Sequence, residues 1–486
     1  MTVLDMLQSQ GARIQDITAD SREVGAGSLF LAYPGERVDG RDFISQAVAQ
    51  GAAAVLWEKA GFAWDASWQV PNLPIDELRR QSGFIADEFY EHPSRQLWMI
   101  GVTGTNGKTS CSHWLAQAFS ALGKSTAVIG TLGNGFPNGL SEAINTTPDP
   151  ILLHGMLAEF KREGAEAVAM EVSSHGLDQG RVNGVSFDVA VFTNLSRDHL
   201  DYHGDMQSYA AAKRKLFHWP GLSCAVLNAD DELGREITME LQDLGRRVLT
   251  YGFNAGNVRG SALQFSGGGL SMQVETPAGR GLLKANVIGR FNAYNLLAVL
   301  SAMLASDVAL EDALNALQTI RPVAGRMQSL GGNNKPLVVI DYAHTPDALE
   351  KVLNTLAEQL AEQKEKRGRL ICVFGCGGNR DAGKRPLMGA VVARLAHVAI
   401  VTSDNPRNED PGSIISDIIK DNRNLDVEPD RAAAIQRAIN MAEPADVVLI
   451  AGKGHEDYQE IQGVKHPFSD YAVAQHALQQ YEEHAL

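Results

Sequence analysis

Cysteine is scarce in this chain of 486 residues, which has four: Cys111, Cys224, Cys372 and Cys376. So few cysteines exclude the disulfide-rich scaffold of a small secreted protein. Cys372 and Cys376 form a CxxxC pair, but no second pair and no nearby histidine accompany them, which argues against a structural zinc site. We therefore expect free, buried thiols in a reducing compartment.

Basic residues are also few relative to acidic ones. The chain has 43 lysines and arginines against 58 aspartates and glutamates, and its formal net charge is −15 at pH 7. A broad basic surface is not expected, which argues against a nucleic-acid partner. A small anionic substrate stays possible, because a local cluster of arginine and lysine can still bind one.

Long apolar runs are missing as well. No stretch reaches the roughly 18 apolar residues of a membrane helix, and the N-terminal segment lacks a basic start followed by an apolar run. We expect no signal peptide, no membrane span and a cytoplasmic location. A hydrophobic fraction of 44% and a charged fraction of 21% are typical of a globular enzyme, and the length predicts about three domains.

Short apolar runs alternate with helical patterns, which predicts an α/β fold in three blocks. Residues 1–92 form a small N-terminal α/β domain, with strands at 28–33 and 52–58 and helices at 42–50 and 75–90. Residues 93–325 form a central domain with a phosphate loop (P-loop) and a doubly wound parallel sheet; its predicted strands are 97–102, 166–172, 187–193 and 223–230. Residues 326–486 form a C-terminal Rossmann-like α/β domain; its predicted strands are 336–343, 369–375, 397–403 and 446–452, with a helix at 346–360.

A glycine-rich segment, GVTGTNGKTS at 101–110, lies between a predicted strand and a predicted helix. In such a loop the backbone N–H groups and the helix N-terminus face phosphate oxygens. Lys108 would neutralise the β- and γ-phosphates of ATP, and the Thr109 hydroxyl would coordinate Mg²⁺. The strict P-loop pattern wants glycine at position 102, where this chain has valine.

Polar residues follow the next predicted strands, at the edge where parallel sheets bind ligands. Glu171 ends one strand, and either His199 or Asp198, after the following strand, could complete a metal site. Taken singly, each of these residues is as well explained by a cap or a loop hydrogen bond. Lys213 lies on a helix shortly afterwards, where a solvated lysine is the ordinary interpretation.

In this order, VTGTNGKTS, MEVSSHGL, FTNLSRDHLDYHG and AAK resemble the motifs of the Mur ligases, ATP-dependent amino-acid-adding enzymes of peptidoglycan synthesis. The resemblance covers essentially the whole chain, and its later motifs are GRFNAYN (289–295), GRMQ (325–328), DYAHTPDALE (341–350), FGCGGNRDAGKRP (374–386), SDNPR (403–407) and AGKGHEDYQ (451–459). It is greatest for members that add meso-2,6-diaminopimelate to UDP-N-acetylmuramoyl-L-alanyl-D-glutamate. It implies an acyl-phosphate mechanism, a monomer, and ATP and Mg²⁺ as cofactors.

The resemblance also implies roles for individual residues. Lys108, Lys213 and His199 match catalytic residues, and Lys213 matches a lysine that the family carbamylates. The magnesium ligands would be Thr109, Glu171, His199 and the Lys213 carbamate. The ATP-binding residues would be Gly104, Thr105, Asn106, Gly107, Lys108, Thr109, Ser110, Asn292, Asn295, Arg326 and Asp341. Contacts to the UDP-linked dipeptide would come from Ala19, Ser21, Asn145, Thr146, Thr147, Ser173, Gln179 and Arg181, with the loop 34–41 near the nucleotide.

The residues matched to the diaminopimelate pocket are Arg380, Asp404, Asn405, Pro406, Arg407, Gly452 and Glu456. The arginines offer planar forks for the distal carboxylate, and Glu456 offers a counter-charge for the distal ammonium. A lysine acceptor lacks that carboxylate, so Arg407 argues against a lysine-adding enzyme. Two further hypotheses are a folylpolyglutamate synthase-like ligase and a nucleotide-binding module without catalysis.

Overall fold

The computed structural model describes residues 1–35, 38–266, 269–332, 334–362, 368–422 and 424–485. The chain divides into two compact units: Met1–Gly256 with Ser301–Val308, and Asn257–Leu300 with Ala309–Leu486. Both contain mixed helices and strands, so the α/β prediction is confirmed. No helix in the described ranges is long and apolar enough to cross a membrane. The four cysteines are free and buried, as predicted.

The first unit begins with a four-stranded parallel sheet. Its strands, in sheet order, are β1 (Asp16–Thr18), β2 (Ser28–Ala32), β3 (Ala54–Glu58) and β4 (Asn72–Ile75). Its helices are α1 (Val3–Ser9), α2 (Ile44–Ala49) and α3 (Leu78–Phe89). The helix expected from residue 75 begins at Leu78, because Ile75 belongs to β4. That short strand contains Pro74 and lies at the sheet edge, where proline is tolerated.

The larger sheet of the first unit carries the phosphate loop. Its strands are β5 (Trp98–Thr103), β6 (Thr126–Gly130), β7 (Gly133–Phe136), β8 (Gly139–Ser141), β9 (Ala167–Glu171), β10 (Val189–Phe192), β11 (Cys224–Asn228) and β12 (Val248–Gly252). Its helices are α4 (Lys108–Ala121), α5 (Pro150–Arg162), α6 (Ser174–Asp178), α7 (Leu200–His203), α8 (Met206–Arg214) and α9 (Glu232–Asp243).

Strand order in this sheet locates the ligand crevice. Within the first unit the order is β12-β11-β10-β5-β9-β6-β7-β8. The strands from β12 to β6 are parallel, whereas β7 and β8 add an antiparallel edge. The chain places later strands on both sides of β5, so the order reverses there. Ligands bind at such a switch point, beyond the carboxyl ends of the strands, and the segment after β5 is the glycine-rich loop.

The second unit contains an antiparallel sheet of β13 (Val258–Ser266), β14 (Gly269–Thr276) and β15 (Gly279–Ala285). These strands were not predicted from the sequence, although alternate residues of β14 are buried. The helices that follow are α10 (Arg290–Ala305), which begins in this unit, and α11 (Leu310–Gln318).

A six-stranded sheet forms the rest of the second unit, in the order β16-β17-β21-β18-β19-β20. Its strands are β16 (Gln328–Gly331), β17 (Leu337–Asp341), β18 (Leu370–Phe374), β19 (Val398–Val401), β20 (Asp426–Val427) and β21 (Val447–Ala451), followed by the hairpin β22 (Tyr458–Ile461) and β23 (Val464–Pro467). The helices are α12 (Pro346–Glu362), α13 (Lys384–Leu395), α14 (Pro411–Ile419), α15 (Arg431–Asn440) and α16 (Asp470–Ala485). The strands β17 to β21 are parallel.

Candidate active site

The glycine-rich loop is held in a defined shape. Gly104 has φ 148°, and a Cβ there would overlap Thr193 Oγ1, so no larger residue fits. The Asn194 side chain forms two hydrogen bonds with the backbone of the next turn. Asn106 N donates to Asn194 Oδ1 (3.0 Å), and Asn194 Nδ2 donates to Asn106 O (3.0 Å). Gly107, at φ 90°, precedes the first residue of α4. The predicted strand–loop–helix arrangement is confirmed.

Two lysines converge on this loop. Lys108 Nζ donates to the carbonyl oxygens of Gly104 and Thr105, both at 2.9 Å. Lys213 Nζ donates to the same Gly104 oxygen at 2.8 Å and lies 4.4 Å from the centre of the Tyr209 ring. Lys213 is only 1% exposed. Burial above all, and then the charge of Lys108, lower the pKa of Lys213 well below its usual value, which favours the neutral amine.

Glu171 stands at the carboxyl end of β9, beside the loop. Its side chain is fully buried, and Oε2 accepts hydrogen bonds from Thr109 Oγ1 (3.0 Å) and Thr131 Oγ1 (3.2 Å). Its Oε1 accepts from the Thr131 backbone N–H at 2.8 Å. Burying an ionised carboxylate among neutral donors is costly. Carboxylate and hydroxyl oxygens are the ligands that Mg²⁺ prefers. The Glu171 carboxylate and the Thr109 hydroxyl therefore fit the predicted ion.

His199 lies at the start of α7 in the left-handed conformation (φ 53°). The centre of its ring is 6.0 Å from that of the Tyr209 ring and 4.9 Å from that of the His175 ring. The Tyr209 ring is also the one that the Lys213 ammonium contacts. Within the described ranges, no three His, Cys, Asp or Glu side chains lie close enough to hold a metal ion. A magnesium site at Glu171 would therefore need hydroxyl, water, phosphate or carbamate oxygens as well.

Several residues matched to the dipeptide form a hydrogen-bond network that reaches Glu171 through Thr147. Thr147 Oγ1 donates to the Glu171 carbonyl (2.9 Å) and accepts from Ser173 N (3.0 Å). Arg181 donates to the Thr147 carbonyl (2.9 Å) and to Gln179 Oε1 (2.8 Å). The remaining two are Thr146, whose hydroxyl is 3.0 Å from that of Thr131, and Asn145, which is exposed.

The residues matched to the uridine side lie in loops of the N-terminal sheet. Ala19 and Ser21 are half-buried in the loop after β1, at the carboxyl edge of a parallel sheet. The loop 34–41 follows β2, and Arg41 anchors its end by binding Asp39 and covering the Phe62 ring at 5.2 Å. Residues 36 and 37 of this loop lie outside the described ranges.

In the second unit, the predicted acceptor residues follow β18, β19 and β21. Asn405 Nδ2 donates to Glu456 Oε2 at 2.7 Å. Asn405 follows β19 and Glu456 follows β21, and these two strands lie on either side of β18. Lys453, which the sequence analysis did not single out, is fully buried. Its Nζ donates to Asn405 Oδ1 and to Glu456 Oε2, both at 3.0 Å.

Arg407 is oriented by its surroundings. Its Nε lies 3.1 Å from Glu460 Oε2, and its Nη1 donates to the Gly378 carbonyl at 3.0 Å. A Cβ at Gly377 would approach Arg407 Nη1 to 2.9 Å, so this glycine leaves room for the guanidinium, and a Cβ at Gly378 would overlap the Pro406 carbonyl. Arg380, in the same loop, is exposed.

Asp404 and Gly452, two further residues of the predicted acceptor pocket, lie close together. Asp404 Oδ1 accepts from Asn405 N at 2.7 Å, and Oδ2 lies 4.0 Å from the buried Arg431. Gly452 has φ 116°, and a Cβ there would approach Asp404 Oδ2 to 2.6 Å. Arg431 in turn forms a fully buried pair with Asp470 at 2.7 Å. Several of the predicted pocket residues are therefore held by ion pairs and hydrogen bonds with one another or with buried charges nearby.

The four remaining ATP-site predictions also lie in the second unit. Asn292 and Asn295 are buried in α10, and Asn295 Nδ2 donates to Asn292 Oδ1 at 3.1 Å. Asp341 ends β17 and accepts from Met327 N and Ala343 N, both at 2.8 Å; burial raises its pKa. The Arg326 guanidinium lies 4.7 Å from the centre of the Tyr342 ring. Their roles toward ATP stay predictions.

Comparison with known proteins matches three family profiles: the catalytic domain of the Mur ligase family (residues 13–90), the Mur ligase middle domain (102–303) and the Mur ligase glutamate ligase domain (325–454). A ligase of Chromobacterium violaceum is 56% identical over 476 residues, which are 97% of this chain and 96% of that protein. The chain belongs to the Mur ligase family.

The relatives agree in name. The Chromobacterium protein and one from Pseudomonas aeruginosa (52% identical over 474 residues, 96% of each chain) are both UDP-N-acetylmuramoyl-L-alanyl-D-glutamate–2,6-diaminopimelate ligases. A solved structure of a ligase of the same name is 35% identical, with a TM-score of 0.72 over 96% of this chain and 95% of that one. The ADP complex of MurF from Thermotoga maritima, 18% identical, has a TM-score of 0.63 over 100% of both chains and shares the fold.

Proposed function

We propose that this protein joins meso-2,6-diaminopimelate to UDP-N-acetylmuramoyl-L-alanyl-D-glutamate, with conversion of ATP to ADP and phosphate, in the synthesis of peptidoglycan precursors. The observation that carries the proposal is the identity of 56% along 97% of the chain to a ligase with that name. The Arg407 and Glu456 pocket supports the choice of acceptor.

Each block has its own task. Residues 1–92 bind the uridine side of the dipeptide substrate, residues 93–325 bind ATP and activate the carboxylate, and residues 326–486 bind the incoming amino acid. Ala19 and Ser21 contact the nucleotide, while the loop 145–147 and Arg181 hold the peptide near Glu171. The link from Thr147 to the Glu171 carbonyl (2.9 Å) supports this arrangement, because it couples the peptide loop to the activation site.

The loop from Gly104 to Ser110 cradles the phosphates of ATP. Its backbone N–H groups and Lys108 offset the charge that accumulates as the γ-phosphoryl group moves to the carboxylate. Asn292 and Asn295 contribute to the adenine side, and Arg326 and Asp341 to the phosphates and ribose. The loop shape fixed by Gly104 and Asn194 supports this role, and Lys108 would turn from the Gly104 and Thr105 carbonyls to the phosphates.

Thr109, Glu171 and His199 would hold Mg²⁺, together with a carbamate on Lys213. A bound magnesium ion neutralises phosphate charge and orients the transferring group. Carbamylation requires an uncharged amine as nucleophile, and Lys213 is buried beside a second lysine. In the modification the Lys213 amine would add CO₂ and release a proton, and the carbamate anion so formed would lie near the Lys108 ammonium, which contacts the same Gly104 carbonyl.

The acceptor is held by its distal amino-acid head. Arg407 and Arg380 bind the distal carboxylate, and Glu456 binds the distal ammonium. The other amino group attacks the acyl carbon, an amide bond forms, and phosphate leaves as the tetrahedral intermediate collapses. An L-lysine acceptor would leave Arg407 without the carboxylate, at a cost of roughly a few kcal/mol.

A direct assay tests the proposal. Purified protein receives ATP, Mg²⁺ and UDP-N-acetylmuramoyl-L-alanyl-D-glutamate with either meso-diaminopimelate or L-lysine, and phosphate release is measured. We expect release with diaminopimelate and little with lysine. Release with lysine alone would make this the lysine-adding enzyme, and no release with either would overturn the ligase assignment for both acceptors. A folylpolyglutamate synthase-like ligase would instead use a folate and glutamate.

A further inference from the structure

A buried lysine lies behind the acceptor pocket. Lys453 is fully buried, and its ammonium contacts Glu456 Oε2 and Asn405 Oδ1, both at 3.0 Å. The centre of the Tyr458 ring lies 5.4 Å from the same nitrogen. A charge with so little access to water persists only when it is paired and hydrogen-bonded, and the Glu456 carboxylate supplies that pairing.

Asn405 closes the contact into a ring of three side chains. Its Nδ2 donates to Glu456 Oε2 at 2.7 Å, and its Oδ1 accepts from Lys453 and from the backbone N–H of Glu460 (2.9 Å). Each of Asn405, Lys453 and Glu456 thus touches the other two. Without Lys453, Glu456 would keep only the Asn405 amide among its described hydrogen-bond partners.

Four of the charged side chains around the pocket form two pairs. Lys453 lies against Glu456, and Glu460 lies 3.1 Å from Arg407. These four side chains carry two positive and two negative charges, so together they are neutral. Such a pocket is complementary to a head group that carries both an ammonium and a carboxylate, whereas an unpaired Glu456 would attract any ammonium, including that of L-lysine.

We infer that Lys453 is a specificity-determining residue, which positions Glu456 and offsets its charge so that the pocket selects a zwitterionic amino-acid head over a bare cation. The inference deepens the proposed function and rests on it. Lys453 acts through Glu456 and Asn405, so it is a positioning residue. Its effect is on the choice between acceptors, while ATP use stays unchanged.

The test is Lys453→Met, which keeps the length of the side chain and removes its charge. Steady-state kinetics are measured with meso-diaminopimelate and with L-lysine. We expect the ratio of kcat/KM for diaminopimelate to that for lysine to fall about tenfold or more, since charged hydrogen bonds of this kind contribute on that order. The KM for ATP should stay within about twofold. Lys465→Met is the matched control, because Lys465 is exposed and packs its ammonium on the same Tyr458 ring at 4.2 Å.

Several outcomes would overturn the inference: an unchanged ratio, an equal fall for both acceptors, or a parallel rise in the KM for ATP. Adding Lys453→Met to Glu456→Gln should change the ratio little, because the partner is already neutral; a full additional fall would also contradict the inference.

If Lys453→Met does not fold, Lys453→Gln, which keeps a hydrogen-bond donor, should lower the ratio in the same direction. Failure of the unmodified protein to use diaminopimelate would instead overturn the proposed function itself.

Discussion

Two lysines, one in each unit, are almost completely removed from water, and their surroundings differ. Lys453 is 0% exposed and lies 3.0 Å from a carboxylate, that of Glu456. Lys213 is 1% exposed and donates to the Gly104 carbonyl, which Lys108 also contacts. At Lys213 the charge of Lys108 adds to the effect of burial and lowers the pKa further, whereas the partner of Lys453 is a carboxylate.

Because their surroundings differ, the two buried lysines are suited to different chemistry. A buried lysine that hydrogen-bonds a carboxylate holds that carboxylate in place and offsets its charge. A buried lysine beside another cation favours its neutral amine, which is a nucleophile. We therefore associate Lys453 with recognition and Lys213 with covalent modification, and substitutions at each site separate the two.

The largest effect is expected for Lys213→Ala. The variant removes the proposed carbamate ligand, so activity should fall about 10²–10³-fold. Added small carboxylates should partly restore turnover, because they can occupy the vacated space and supply an anion. Rates are measured at saturating concentrations of all substrates, with and without the carboxylate.

Lys215→Ala is the control for this variant, because Lys215 is two residues away, 48% exposed and paired with Asp178. It should keep nearly full activity. Full activity of Lys213→Ala itself would mean that no carbamate is needed, and the contrast between the two buried lysines would lose its functional meaning.

An intermediate effect is expected for Arg407→Ala. The variant removes the fork for the distal carboxylate, so the KM for diaminopimelate should rise about 10–100-fold while the KM for ATP changes little. Arg394→Ala is the control, because Arg394 is exposed in the same unit and pairs with Glu350. Equal rises in both KM values would count against the pocket assignment.

The smallest effect is expected for Thr131→Val. The variant removes the hydroxyl that donates to Glu171 Oε2 (3.2 Å) but keeps the backbone N–H that donates to Oε1. The Mg²⁺ concentration for half-maximal activity should rise by about three- to tenfold, in line with the loss of one hydrogen bond to a charged group. Thr131→Ser keeps the hydroxyl and should behave as the unmodified protein; an equal shift in both variants would argue against a role for this bond.

The sequence predicted those parts of the sites that a single segment encodes. Three parts of the sites lie at or just after the end of an apolar run: the loop at 104–107, Glu171 and the segment 404–407. Parallel sheets bring such strand ends to one edge. The family resemblance singled out Lys213, whose helix alone favoured a solvated side chain.

Contacts between distant segments were not predictable. The meeting of Asn405 and Lys453 depends on β21 and β19 flanking β18, an order that the sequence does not reveal. Thr131 was missed because β6, which it follows, was not recognised. The short β4 and the antiparallel β13–β15 were missed for a related reason: their apolar residues are few or alternate with polar ones.

In the proposed reaction, the phosphate-loop domain activates a carboxylate that is then joined to diaminopimelate. The most direct test is the mass of the UDP-linked product formed when ATP, Mg²⁺ and UDP-N-acetylmuramoyl-L-alanyl-D-glutamate are supplied with equal amounts of meso-diaminopimelate and L-lysine. We expect a product extended by diaminopimelate, with the lysine product at a small fraction of it. A product extended mainly by lysine, or no extended product, would contradict this expectation.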